Sequence, residues 1–196
     1  KKMYCYEGSI FVAGSSIQWL RDKLLMFKDS KDTDELYSNA NKDENVISIP
    51  ALTGLGAPHW QPQVRGAFFG LTRNTSRNEI VKSILDSLGF QTLELVHCME
   101  KDSKIKIKEM RVDGGMTKND SFVQSLCNIL QIKIIKPNNT ETTSLGVAYL
   151  SGLHSGLIKN VDEISKLWNR KKVYNSKINK SIIKKQFFKW QEATKL

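Results

Sequence analysis

The stretch with the most chemical content is Arg111-Val112-Asp113-Gly114-Gly115-Met116-Thr117-Lys118-Asn119. A strand-like segment runs into two glycines, and a helical pattern starts about three residues later. Glycines at such a turn let the backbone approach a ligand closely and admit positive φ. The helix that follows offers unpaired N–H groups and the positive end of a dipole, a combination that suits a phosphate. Asn119, in the first turn, can hydrogen-bond a nucleobase or a ribose. Taken alone, a Gly-Gly pair reads first as a tight turn with no ligand. No G-x-x-x-x-G-K-[ST] and no G-x-G-x-x-G occurs, so neither a P-loop nor a Rossmann fingerprint supports the site. Asp102, Glu109, Asp113 and Asp120 are candidate carboxylates, but no spacing forces two of them together. Thr142-Thr143-Ser144-Leu145-Gly146 opens a helix with small residues, which suits close packing. Cys5, Cys98 and Cys127 form no C-x-x-C pair, and His59, His97 and His154 lack metal-ligand spacing, so no metal ligands are expected.

The elements that must hold this turn follow from pattern. Residues 3–6 read as the end of a strand. From residue 9 or 14 to 27, Ile10, Val12, Ile17, Leu20, Leu24 and Phe27 recur near one helical face. A short helix is expected over 32–40 and a short strand over 46–50, stopped by Pro50. Residues 53–66, with Gly54, Gly56, Gly66, Pro58 and Pro62, form a structured loop, and 67–69 another strand. Ser76 followed by Glu79 is a capping-box pattern, opening a long helix that ends near residue 102 and packs on a central sheet. Strand (105–113), helix (118–130), strand (133–136) and helix (from a Thr142 or Thr143 cap to Leu153) then alternate. That alternation argues for one α/β domain with parallel pairing. Helices are expected over 161–168 and 180–195.

Composition narrows the class. The 196 residues are 40% hydrophobic and 26% charged, near globular averages. No apolar run approaches the roughly 20 residues of a membrane span, and no signal peptide is visible. The net charge of +10 is concentrated: Lys166, Arg170, Lys171, Lys172, Lys177, Lys180, Lys184, Lys185, Lys189 and Lys195 face one acid, Glu192, so the last segment carries +9 and the body is near neutral. A solvated basic helix face explains this more simply than a nucleic-acid patch, and no nucleic-acid or membrane partner is expected. Three scattered cysteines suit a reducing cytoplasm.

Together the motifs resemble a known family. Thr53-Gly54-Leu55-Gly56-Ala57-Pro58-His59-Trp60 with Arg65-Gly66 is similar to a loop of the carbohydrate kinases named for their FGGY motif, in its glycerol kinase version. Gly66-Ala67-Phe68-Phe69-Gly70-Leu71, then Glu79-Ile80, Ser83-Ile84-Leu85-Asp86, resembles the second family signature. Gly8 to Asp22, Arg111 to Gly115, and the helix Ser144 to Leu153 continue the likeness in family order over residues 4–157. The resemblance implies an actin-like, ribonuclease-H-like α/β architecture in which two domains clasp ATP with Mg²⁺. Residues 1–196 would be the C-terminal, nucleotide-binding domain, with 160–196 a basic helical extension and the N-terminal domain absent. The catalytic aspartate, the phosphate-contacting threonine and most glycerol contacts would belong to that other domain, so this chain would hold no catalytic residue. By the same resemblance Gly14, Gln18, Gly115 and Asn119 would contact the nucleotide. Partners implied are ATP and ADP, glycerol through the N-terminal domain, and a homo-oligomer as one assembly compatible with the family. The tail lacks the acidic pattern by which some bacterial relatives bind a regulatory protein. The reading is an ATP-binding half of a kinase that makes glycerol 3-phosphate, inactive alone. Alternatives are a fragment of another FGGY polyol or sugar kinase, a stand-alone basic module binding nucleic acid or anionic surfaces, and a non-functional piece of a split gene.

Overall fold

The computed structural model describes residues 4–195, a mixed α/β fold. Its elements in order are α1 (Gly14–Asp22), α2 (Asp32–Asn39), β1 (Ile47–Ile49), β2 (Ala67–Phe69), α3 (Arg77–Ser103), β3 (Glu109–Arg111), a one-turn 3-10 helix (Gly115–Lys118), α4 (Asp120–Leu130), β4 (Lys133–Pro137), α5 (Thr142–His154), α6 (Val161–Leu167), β5 (Arg170–Tyr174) and α7 (Lys180–Ala193).

The organising element is α3, about 40 Å long at 1.5 Å per residue. Its start is fixed by a complete capping box: the Ser76 hydroxyl accepts from Asn78 N–H at 3.1 Å, and Glu79 Oε2 accepts from Ser76 N–H at 2.7 Å. Val81, Ile84, Leu85 and Leu88 are buried along it. At Gly89 the helix comes so close to α4 that an added β-carbon would lie 2.5 Å from Ile129 Cδ1. This glycine is therefore a packing residue, and it sets the α3–α4 separation.

The single central sheet expected from the alternation is instead two sheets. β1 and β2 pair antiparallel, with Ile47 opposite Phe69. Separately, β3 pairs parallel with β4 and β4 antiparallel with β5. The βαβ unit of β3, α4 and β4 thus has the expected parallel register, Met110 opposite Ile134.

Four further expectations are corrected. Residues 4–6 form no strand, and residue 3 lies outside the described residues. α1 stops at Asp22 rather than near 27, because Leu25 takes a left-handed conformation (φ 53°) and turns the chain; Phe27 reaches the core from the loop. α5 begins at Thr142 itself, with Glu141 at the cap position and no side-chain cap, so neither threonine caps it. The basic segment 160–196 is not purely helical: Arg170–Tyr174 is a strand of the sheet. Nor is it peripheral. Trp190 is 1% exposed, packs against Phe90 and Phe187 at ring distances of 5.9 and 6.2 Å, and donates its indole N–H to Ser87 Oγ at 2.9 Å. Tyr174, Phe187 and Trp190 thus serve the core, which weighs against their use as stacking platforms, while Phe188 stays 63% exposed.

Candidate functional site

The glycine turn lies between β3 and α4. Val112 N–H continues the ladder to Ile135 C=O at 3.1 Å, and Gly114 N–H bonds Thr140 C=O at 3.2 Å. The positive φ that the glycine pair admits falls at Gly114 (83°) and not at Gly115. Thr117 ties the turn by donating both its N–H (3.1 Å) and its hydroxyl (2.7 Å) to Gly114 C=O. An added β-carbon at Gly114 or at Gly115 would meet nothing within 4 Å, so the backbone is bare on its outer side.

Gly14, a hundred residues earlier, arrives at the same place. It is the first residue of α1, and a β-carbon on it would lie 3.9 Å from Met116 Sδ. Gln18 is exposed one turn along the same helix, on the face of Gly14. The structure therefore brings Gly14 and the Gly114–Gly115 turn together around Met116.

Asn119 is buried and structurally engaged. Its Oδ1 caps α4 by accepting from Phe122 N–H at 2.6 Å, and its Nδ2 donates to Thr33 Oγ1 at 2.9 Å. Thr33 is itself held, its hydroxyl donating to Ser30 C=O at 2.6 Å. The rotamer of Asn119 is fixed, with one of its two amide hydrogens used by Thr33.

The start of α4 is not the open anion site that the sequence suggested. Asp34 Oδ1 accepts from Ser121 N–H at 2.8 Å, Asn119 takes Phe122 N–H, and Asp120 adds a carboxylate to the first turn. Acidic groups already satisfy the positive helix end. Asp120 is anchored by Lys172 Nζ at 2.6 Å, Tyr174 hydroxyl at 2.6 Å and Lys136 Nζ at 3.1 Å. These donors hold its carboxyl far below the usual carboxylate range. Burial, with the Asp120 bond, pushes the Tyr174 hydroxyl above its ordinary value.

Beside this cluster a cleft of about 860 Å³ opens between α2, α4 and β5. Its other carboxylate, Asp86, accepts from Tyr37 hydroxyl and Ser125 hydroxyl, each at 2.7 Å, and from Lys82 Nζ at 2.5 Å. Burial drives the Tyr37 hydroxyl far up, so it stays a donor. Both carboxylates of the cleft are occupied, and neither is free to take a substrate proton. Among the described residues no group of three His, Cys, Asp or Glu side chains could hold a metal ion.

Sequence reasoning missed Thr33 and Asp34. Both lie on α2, some 86 residues from the groups they hold, and no local pattern signals a contact at that separation.

Comparison with known proteins identifies the family. Residues 1–154 match the model of the FGGY family of carbohydrate kinases, C-terminal domain. The chain is 47% identical over 193 residues to a glycerol kinase of Marinomonas sp. (strain MWYL1) and 42% identical to one of Bacillus cereus (strain Q1). Each match covers 98% of this chain but only 39% of the relative. The fold superposes with a TM-score of 0.87 on Plasmodium falciparum glycerol kinase, solved with ADP, at 35% identity over 96% of this chain and 37% of that one. A xylulose kinase of Lactobacillus acidophilus, 24% identical with a TM-score of 0.79, shares the fold. The chain belongs to the FGGY family of carbohydrate kinases and corresponds to its C-terminal domain.

Proposed function

We propose that this chain is the nucleotide-binding part of a glycerol kinase, an enzyme that moves the γ-phosphate of ATP onto glycerol and yields glycerol 3-phosphate and ADP. The observation that carries the reading is the convergence of Gly14 and the bare Gly114–Gly115 backbone around Met116. In this reading Gly14, Gln18, Gly115 and Asn119 contact the nucleotide. Gly115 gives backbone access, Gln18 offers an exposed amide, and Asn119 turns its remaining amide hydrogen to an acceptor on the base. The acidic start of α4 favours a neutral base beside Asn119 and keeps the phosphates away from that helix end. Phosphoryl transfer further needs a base for the glycerol hydroxyl, and Mg²⁺ to neutralise charge developing on the phosphates. With no cage of acidic or imidazole ligands among the described residues, Mg²⁺ would ride on the triphosphate and on groups outside this chain. The base would likewise come from the N-terminal part of the enzyme, so the chain alone would not turn over glycerol. The three free cysteines support placing it in a reducing compartment, the cytoplasm. No helix among the described residues is long and apolar enough to cross a membrane.

The test is Gly115→Val with calorimetric titration of ATP. A side chain there meets no protein atom and no positive φ stands in its way, so the melting temperature should move by less than about 3 °C. ATP affinity should fall by about tenfold or more, equivalent to 1.4 kcal/mol. Unchanged affinity in the folded variant would return the glycine pair to a plain structural turn.

A further inference from the structure

The cleft between α2, α4 and β5 collects positive charge from four separate parts of the chain. Lys42 follows α2, Lys82 stands on α3, Lys172 on β5, and Lys177 on the loop after β5. These four lysines meet two aspartates, Asp86 and Asp120, so the cleft carries a surplus of +2. Both acids are already saturated, Asp86 by Tyr37, Ser125 and Lys82, and Asp120 by Tyr174, Lys172 and Lys136. The ion pairs of the cleft use Lys82 and Lys172, and none among the described residues uses Lys42 or Lys177. A run of lysines along one helix is simply solvated. Lysines that converge on one concave wall from four elements focus their field there and favour an anion.

The same wall holds a donor with nothing to bond. Asn128, on α4, is only 9% exposed. Its Oδ1 accepts from Gln124 Nε2 at 3.1 Å and from Lys177 N–H at 2.8 Å, which fixes the orientation of the amide. Nδ2 is left with no partner among the described residues, and it is not sealed from solvent as Gln91 Nε2 is. A donor so placed is served by water or by an acceptor in the cleft. The floor is apolar, made by Phe90, Ile129 and Ile183. At about 860 Å³ the cleft falls in the range of small-molecule sites, roughly 300–1,000 Å³. None of Gly14, Gln18, Gly115 and Asn119 lines it.

We propose that this cleft binds a small phosphate monoester, with its dianionic head beside Lys177 and Asn128 Nδ2 and its carbon skeleton on the apolar floor. Lys42, Lys82 and Lys172 supply the surrounding field. The choice of head follows from charge: a phosphate monoester carries about −1.5 to −2 at neutral pH and cancels the surplus, whereas a carboxylate brings only one charge. The inference stands apart from the nucleotide assignment.

The probe is phenyl phosphate, titrated into the chain at about pH 7.5, where it is a dianion, with benzoate as a monoanion carrying the same ring. Broadening of the phosphorus NMR line and shifts of the Asn128 side-chain amide report binding. The expected dissociation constant is about 1 mM or tighter, and benzoate should bind about tenfold or more weakly. Asn128→Asp keeps an oxygen for Gln124 and Lys177 and sets a second carboxylate oxygen where Nδ2 stands. The double variant Lys42→Gln, Lys177→Gln removes two charges that have no ion-pair partner, and it carries the test if Asn128→Asp fails to fold. Each should keep the circular dichroism and melting of the parent and lose about tenfold or more in affinity for phenyl phosphate. No binding at about 10 mM, equal affinity for benzoate, or an affinity untouched in either folded variant would each overturn the proposal. So would a loss in Gly115→Val matching that in Asn128→Asp, because the anion would then sit at the glycine turn. ATP affinity unchanged by Gly115→Val removes the nucleotide assignment and leaves the cleft standing.

Discussion

Replacing Asn119 tests how the candidate site is held. Two bonds depend on its side chain: the cap to Phe122 N–H at 2.6 Å and the tie to Thr33 Oγ1 at 2.9 Å. Losing an N-cap costs about 1 kcal/mol, and losing a buried neutral hydrogen bond costs about as much again, so Asn119→Ala should destabilise the fold by about 2 kcal/mol. For a protein of this size that is a drop of about 6 °C in melting temperature. Asn119→Ser keeps an oxygen able to cap α4 but cannot reach Thr33, so it should lose only about half of that. Urea unfolding followed by circular dichroism measures both, with a common slope confirming that the variants unfold to similar states. If the serine variant is as unstable as the alanine one, the cap contributes nothing. A cost below about 0.5 kcal/mol for alanine would refute the whole account of a locked side chain. The same pair guards against a false conclusion about binding: weakened ATP affinity in the alanine variant mixes lost fold with lost contact, whereas the serine variant keeps α4 capped.

Two further outcomes follow from buried groups. Glu79 is buried, and although burial alone would raise its pKa, N–H donors from Asn41 and Ser76 bring it down to about 2 from an ordinary 4.5. A depressed carboxylate pKa stabilises above the unfolded value, so about 3 kcal/mol should be present at neutral pH and lost as pH falls from 4.5 toward 2. The stability gap between the wild type and Glu79→Gln should accordingly be largest at pH 7 and shrink below pH 4; a gap independent of pH would contradict the assignment. Trp190→Phe keeps most of the ring but strands Ser87 Oγ and Ser48 C=O, and should cost about 1–3 kcal/mol in urea unfolding. A neutral result would show that the basic segment is peripheral after all.

The elements legible in the sequence were those with local causes. The capping box at Ser76 and Glu79 marked the start of α3, and the Ile134-Ile135 run closed by Pro137 marked β4. β5 was hidden because Arg170-Lys171-Lys172 reads as a solvated charged stretch. It is a strand because β4 lies beside it and Asp120 holds Lys172, both long-range facts. The Gly114–Gly115 turn could be read from backbone chemistry, and Asn119 from its place in the first turn. Gln18 carries no local signal, and only the family resemblance singles it out.

The most instructive difference concerns α4. A strand, two glycines and a helix suggested a phosphate at the helix N-terminus, because an isolated helix leaves its first N–H groups unpaired. That inference treats the helix as if nothing else were near it. α2 supplies Asp34 to Ser121 N–H, and Thr33 fixes the Asn119 amide that caps Phe122 N–H, so these two donors are spent before any ligand arrives. What survives of the sequence argument is its other half, the bare backbone of the glycines, whose openness depends only on the lack of side chains. A motif read from residues is thus safest where its chemistry is an absence that packing leaves alone. It is weakest where its chemistry is a set of free donors, which a buried and distant neighbour such as α2 can claim.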